Sequence, residues 1–321
     1  MAELRRPDRD ALLRWLVSPQ VVSPKGEVMS WHGPGAFAYP EAGGLVLRLL
    51  CQERIASGCA DAIAGWLARV VDADEVGRAG ARHTFDLGIV VAGLFAHGLT
   101  RSSTRTRAWA DGFDRMHAAI ELGQAYEGEP SLRWSAQFGP HLRKLAFCLC
   151  QIGGAVGNGD VFLHLLRRLW ISTGGDDFDP RAPTPGAEAT YLHACAYALE
   201  GTHVLARWHG NVDRVHEAAA WLARLQRPHG GMPAWADGEH GFGPTRADTT
   251  AQAVRLWAWI DPRAYESAIA HGLDWLARAS TTPGGGVRYG DDCDHQNTWA
   301  TVFTIQALDF AEGRVDASLL L

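Results

Sequence analysis

Six stretches of this chain repeat one form at a spacing of about 50 residues, and a period of that length constrains the fold more than any single motif. Each stretch follows a loop, opens on polar or aromatic residues, and runs into an apolar segment poor in charge. They open at Tyr39-Pro40-Glu41, His83-Thr84-Phe85-Asp86, Gly139-Pro140-His141, Thr190-Tyr191-Leu192-His193, Arg246-Ala247-Asp248 and Gln296-Asn297-Thr298-Trp299. The period has room for two helices and two loops. The second helix of each unit is amphipathic, at 59–71, 105–122, 160–171, 212–226 and 265–279, and a further one at 9–17 precedes the series. The phrase Trp-Leu-Ala-Arg recurs at Trp66, Trp221 and Trp275, at the same place in three of these helices.

A helix that is apolar all round needs cover on every face. Six inner helices alternating with six outer ones supply that cover by closing into a ring. The expected fold is therefore all-α, a single (α/α)6 toroid over residues 1–321. The N-terminal ends of its inner helices gather at one mouth and form a bowl. No segment reads as strand-rich; only short loop pairings such as Gly286 to Tyr289 are expected. Gly174 to Gly186 is read as a connector across the mouth, or a lid.

The segment Ala187 to Trp208 reads as one such inner helix. His193, Tyr197 and Glu200 stand at i, i+4 and i+7 on one stripe of it, among small or apolar neighbours. The other openings add Tyr39, Glu41, His83, Asp86, His141, Arg143, Lys144, Arg246, Asp248, His295 and Trp299 to the same bowl. Four histidines and four carboxylates converging in one concavity point to a binding or catalytic site. Bland roles are open to several of them: Asp248 or Thr84 as a helix cap, and Glu41 as a charge favoured at a helix start.

Composition narrows the function classes. The chain is 47% hydrophobic and 21% charged, as in a soluble globular protein, with no apolar run of membrane-spanning length. A net charge of −6 without a basic stripe argues against a nucleic-acid partner. Six cysteines in 321 residues make no disulfide framework, and Cys148-x-Cys150 lacks the second pair that zinc requires. The opening segment carries no apolar signal core, so a cytoplasmic location is expected. No cofactor motif is present and no metal is expected, with the turn Asp291-Asp292-Asp294-His295 as the alternative place for one.

Three phrases carry a resemblance: Ser30-Trp31 with Tyr39-Pro40-Glu41; Thr84-Phe85-Asp86-Leu87-Gly88; and Asn297-Thr298-Trp299-Ala300-Thr301-Val302-Phe303 with Gln306-Ala307-Leu308. In their order and spacing the chain resembles the toroid group of terpenoid cyclases and N-acylglucosamine 2-epimerase-type enzymes. More narrowly, it resembles polysaccharide-biosynthesis-associated toroid proteins with squalene-cyclase-like repeats. Gln226-Arg-Pro-His-Gly-Gly-Met232 is similar to the glutamine- and glycine-containing repeat of squalene cyclases. Arg246-Ala-Asp-Thr-Thr-Ala251 resembles the Asp-x-Asp-Asp-Thr-Ala motif of class II terpene cyclases, with Arg246 and Thr249 in place of the flanking carboxylates.

The leading expectation is a carbohydrate-active enzyme working by acid/base chemistry on a sugar or uronic acid, with epimerase, lyase and hydrolase all open. His193, Tyr197, Glu200, Asp86 and Asp248 are its candidate catalytic groups. Arg143 or Lys144 would hold a substrate carboxylate or phosphate, Trp31 and Trp299 would stack on the sugar, and Glu41 would orient its hydroxyls. Tyr39, His83, His141, Arg246 and His295 complete the candidate binding set. The alternatives are an isoprenoid cyclase with Asp248 as its acid and a non-catalytic glycan-binding toroid.

Overall fold

The computed structural model describes residues 4–55, 57–78, 80–100, 106–129, 131–156, 159–209, 212–279 and 284–314. Residues 1–3 of the opening segment and Arg105 of an expected outer helix lie outside them. The inner helices are α2 (Pro40–Glu53), α4 (Thr84–Thr100), α6 (Ala146–Val156), α8 (Leu192–His209), α10 (Ala247–Ile260) and α12 (Thr298–Ala311). The outer ones are α1 (Arg9–Leu16), α3 (Ser57–Asp72), α5 (Thr106–Leu122), α7 (Gly159–Ser172), α9 (Val212–Leu225) and α11 (Glu266–Ala279). Each inner helix packs on the next, and α12 returns to α2, so the chain is an (α/α)6 toroid.

Patterning explains the two layers. In the outer helix α9, the buried residues Val215, Ala218, Ala219, Leu222 and Leu225 make one stripe, with charge on the opposite face. The inner helix α6 carries no charged residue at all. Glycine lets the inner backbones approach closely: a Cβ on Gly44 would stand 2.6 Å from the Ile89 carbonyl oxygen, and one on Gly93 would stand 2.6 Å from that of Gly44. The helix that precedes the repeats closes the ring. α1 packs on α12, where Arg9 pairs with Asp309 at 2.6 Å and with Glu53, at the end of α2, at 2.7 Å.

The loops hold more regular structure than the sequence suggests. Strands β1 (Trp31–His32), β5 (Thr190–Tyr191), β6 (Met232–Asp237), β7 (His240–Arg246), β8 (Arg288–Gly290) and β9 (Cys293–Asn297) form one antiparallel sheet in the order β1-β9-β8-β7-β6-β5. β2 (Gly77–Arg78), β3 (Ala81–His83) and β4 (Tyr126–Glu127) form a second. Strands of two or three residues are too short to show a period-two pattern, and the longer β6, β7 and β9 do not alternate buried with exposed residues, so the sequence reads them as loop. For the same reason α8 starts at Leu192 instead of Ala187: Thr190 and Tyr191 pair with Ala236 and Trp235. The segment Pro140–Leu145 is a 3-10 turn leading into α6. β3, β5, β7 and β9 each run directly into an inner helix, which fixes the direction in which that helix enters the ring.

Candidate active site

The strand-to-helix junctions set the geometry of the mouth. Glu41, His193, Asp248 and Trp299 are each the second residue of an inner helix, and Asp86 is the third residue of α4. All five line one cavity of about 450 Å³, together with Trp31, Tyr39, Arg78, Phe85, Trp134, Ser135, Tyr191, Tyr289, His295 and Asn297. The first turn of a helix favours negative charge, so three carboxylates fit there without distorting the fold.

Glu41 and Asp86 are the most perturbed acids of the cavity. Tyr39 donates its hydroxyl to Asp86 Oδ2 at 2.7 Å, and the Trp299 indole donates to Glu41 Oε2 at 3.0 Å. Burial, and then the charge of Asp86, push the Glu41 carboxyl up to about 8 against the pull of Arg78, Trp299 and Tyr39. Burial raises Asp86 as well, opposed by His83, Tyr39 and Arg78. Two buried carboxyls in mutual reach cannot both ionise easily, so the pair holds a proton near neutral pH. Both acids accept hydrogen bonds, but His83 and then Tyr39 lower Asp86 while the charge of Asp86 raises Glu41, so Asp86 is the ionised member and Glu41 the proton carrier.

Arg78, on β2, is the one Arg or Lys among the described residues that line this cavity. Its guanidinium stands 5.3 Å from the centre of the Tyr39 ring. Burial disfavours its charge, but Tyr39, Asp86 and Glu41 outweigh that and raise its pKa. On the other side His193 Nδ1 lies 2.9 Å from Asp248 Oδ2, a short contact set off the direction of a hydrogen bond. Asp248 Oδ1 accepts the backbone N–H of Thr249 at 2.7 Å. Asp248 is therefore part of the first helical turn and not its cap. Aromatic rings frame both groups. Trp134 meets His193 edge-on at 5.9 Å, and Trp31 stacks on His295 at 5.7 Å.

Of the residues singled out in the sequence, the cavity brings together Trp31, Tyr39, Glu41, Asp86, His193, Asp248, His295 and Trp299. The others lie elsewhere. Exposure falls along the α8 stripe from His193 at 8% through Tyr197 at 1% to Glu200 at 0%, so the stripe descends into the ring. Glu200 sits between Lys144 Nζ at 2.6 Å and Arg255 Nε at 2.7 Å, beneath the cavity. Burial disfavours its charge, yet Arg255 and Lys144 pull its pKa below the usual carboxylate value. Arg143 is spent on Thr173, Thr202 and the Gly175 carbonyl, between the rings of Trp170 and Phe178. Neither Arg143 nor Lys144 faces the cavity.

His83 donates Nδ1 to the Ser135 carbonyl at 3.1 Å, one layer behind the wall. His141 packs against Trp134 and Phe85 and walls a second cavity of about 230 Å³ under the Pro-rich segment 178–185; burial lowers its pKa to about 3. Arg246 pairs with Asp292 and covers the Tyr289 ring. The acidic turn disperses: Asp291 accepts from Thr245 N, Asp292 from Arg246, and Asp294 faces Arg288. Among the described residues no three His, Cys, Asp or Glu side chains converge as a metal site, and no helix is long and apolar enough to cross a membrane.

Sequence reasoning missed Arg78, Phe85, Trp134, Ser135, Tyr191, Tyr289 and Asn297. Phe85, Tyr191 and Asn297 lie within two residues of ones already chosen and were legible from the repeat. Arg78, Trp134, Ser135 and Tyr289 arrive from loop segments without a periodic signal.

No protein-family model matches the chain, and no curated protein matches it in sequence. Solved structures match it in shape. The unsaturated glucuronyl hydrolase of Bacillus sp. GL1 gives a TM-score of 0.69 at 14% identity, over 95% of this chain and 96% of that one. A variant of the unsaturated glucuronyl hydrolase from Streptococcus agalactiae, complexed with dGlcA-GalNAc6S, gives 0.65 at 11% identity, over 97% and 93%. A glycosidase variant in complex with glucose gives 0.68 at 12% identity, over 96% and 98%. At these identities the likeness is one of fold.

Proposed function

We propose that this protein is a glycan-cleaving hydrolase acting on a sugar that carries a carboxylate, of the uronic acid class. The observation that carries this reading is the buried Glu41–Asp86 carboxyl pair beside Arg78 in an aromatic-walled cavity. Glu41, protonated near neutral pH, is the general acid toward a glycosidic oxygen or a substrate double bond. Asp86, held ionised by Tyr39, is the partner carboxylate that activates water or attacks the sugar. Arg78 takes the role first expected of Arg143 or Lys144 and receives the substrate carboxylate in a forked, charge-assisted contact. Trp31, Trp134 and Trp299 offer faces for the sugar ring. His193, steadied by Asp248, orients hydroxyls or relays a proton on the opposite wall. The names of the matching structures, unsaturated glucuronyl hydrolases and glycosidases, support this choice over epimerisation.

The test is turnover. The protein is incubated with unsaturated uronyl disaccharides, saturated uronides and neutral glucosides, and released reducing sugar is measured together with loss of the alkene absorbance. Cleavage of the uronyl substrates alone is the expected result. Cleavage of neutral glucosides alone removes the role of Arg78. Saturable binding of these sugars with no turnover makes the protein a glycan-binding toroid.

A second reading, cyclisation of an isoprenoid with Asp248 as the acid, draws on the aromatic share of the wall: Trp31, Tyr39, Phe85, Trp134, Tyr191, Tyr289 and Trp299. Against it, Asp248 is in contact with His193, and Arg246 and Thr249 stand where the cyclase motif has its flanking carboxylates. Cyclisation of a prenyl diphosphate that is lost in Asp248→Asn would establish it.

A further inference from the structure

Seven residues below the mouth, the inner helices present a second tier. Glu41 is followed by Arg48, His193 by Glu200, Asp248 by Arg255 and Trp299 by Gln306. Seven residues are two turns of helix, about 10.5 Å along the axis, so the pairs share a face at two depths. The lower tier is the floor of the ring, and it is charged. Glu200 is bonded by both Lys144 and Arg255, and Arg255 also donates to Gln306.

The charges of this floor do not balance. Among the described residues of this tier, Arg48, Lys144 and Arg255 are three cations to the single carboxylate of Glu200, and both oxygens of Glu200 are already taken. Arg48 is only 5% exposed, and its buried Nε has no hydrogen-bond partner among the described residues. The ionisable groups that its charge reaches on the acid side are two thiols, Cys148 and Cys51. Burial pushes the Cys148 thiol up to about 12, so it supplies no negative charge at neutral pH. Loss of the Lys144 proton would still leave two guanidiniums to one carboxylate. A guanidinium does not deprotonate to escape such a site, and an uncompensated buried charge is strongly unfavourable.

We infer that the floor of the ring binds a small inorganic anion of the halide class against Arg48, beside the Lys144–Glu200–Arg255 cluster. A monatomic anion suits a close-packed floor and the free Nε donor of Arg48. The site lies below the cavity, so it does not depend on the catalytic reading above.

The experiment compares thermal unfolding of the full chain in sodium chloride and in sodium methanesulfonate at equal ionic strength, for the wild type and for Arg48→Met. A saturable rise in Tm with chloride alone is expected, about 5 °C at ~100-fold excess over Kd, and absent in Arg48→Met. Equal curves in the two salts, or a chloride effect that survives in Arg48→Met, overturn the proposal. Should the variant not fold, crystals of the wild type soaked in sodium bromide decide the matter. An anomalous peak within hydrogen-bond distance of Arg48 supports the site, and a barrel floor without a peak at saturating bromide refutes it.

Discussion

Tyr39 donates its hydroxyl to Asp86 across 2.7 Å from one helix start to the next, and in doing so orders the protonation of Asp86 and Glu41. With His83 and that bond both favouring the charged form of Asp86, and the charge of Asp86 raising Glu41, the proton shared by the two acids resides on Glu41. Activity in the proposed hydrolysis should fall as pH rises through about 8, where Glu41 loses its proton. Glu41→Gln should lower kcat by ~10²-fold or more and abolish that alkaline limb. A Glu41→Gln enzyme with wild-type kcat and an unchanged pH profile would remove Glu41 from the acid role.

The same proton shapes stability. The Glu41 carboxyl titrates at 4.5 when unperturbed and at about 8 in the folded chain. The folded state therefore holds more protons between these values, and stability falls as pH rises across that window. The contribution is complete below pH 4.5 and is lost as pH passes through about 8. Urea midpoints measured from pH 5 to 9 should decline in the wild type and flatten in Glu41→Gln.

Arg78 is expected to read the substrate carboxylate. Arg78→Met should raise KM for a uronide by roughly 10- to 100-fold, the value of one charge-assisted contact, and leave affinity for a neutral analogue of that sugar nearly unchanged. An equal loss for both sugars would mean that Arg78 only shapes the cavity.

Glu200 tests the difference between the two tiers. Removing its charge leaves Lys144 and Arg255 buried and unbalanced, so Glu200→Gln should destabilise the fold by about 3–5 kcal/mol. Calorimetry gives that loss directly. Below the new Tm, kcat should stay within a few-fold of wild type, whereas a large loss of kcat in folded Glu200→Gln would return Glu200 to the catalytic set.

His193→Gln bears on the other wall. Loss of the ring should lower kcat by about 10²-fold if it relays a proton. Full activity in His193→Gln would leave the residue a packing role beside Trp134 and Tyr197.

The six-fold repeat was legible because each inner helix is covered on every face and so poor in charge, while each outer one is apolar on a single face, and both patterns are written in consecutive residues. The junction residues Glu41, Asp86, His193, Asp248 and Trp299 were legible for the same reason: they stand just where polar residues give way to an apolar run. The sheet over the mouth was not, because the pairing of Trp31 with Asn297 joins residues from opposite ends of the chain. Arg78 and Trp134 were missed likewise, since they reach the cavity from loops outside the helical period.

What the sequence determined by itself is which residues share a face. His193, Tyr197 and Glu200 are one stripe by spacing alone. What only the tertiary structure decided is depth along that face. The same stripe begins at an open cavity and ends, two turns down, in a cluster of closed ion pairs. Helical periodicity records direction around an axis, while solvent access depends on what the neighbouring helices place at each height, and that is settled only when the ring closes.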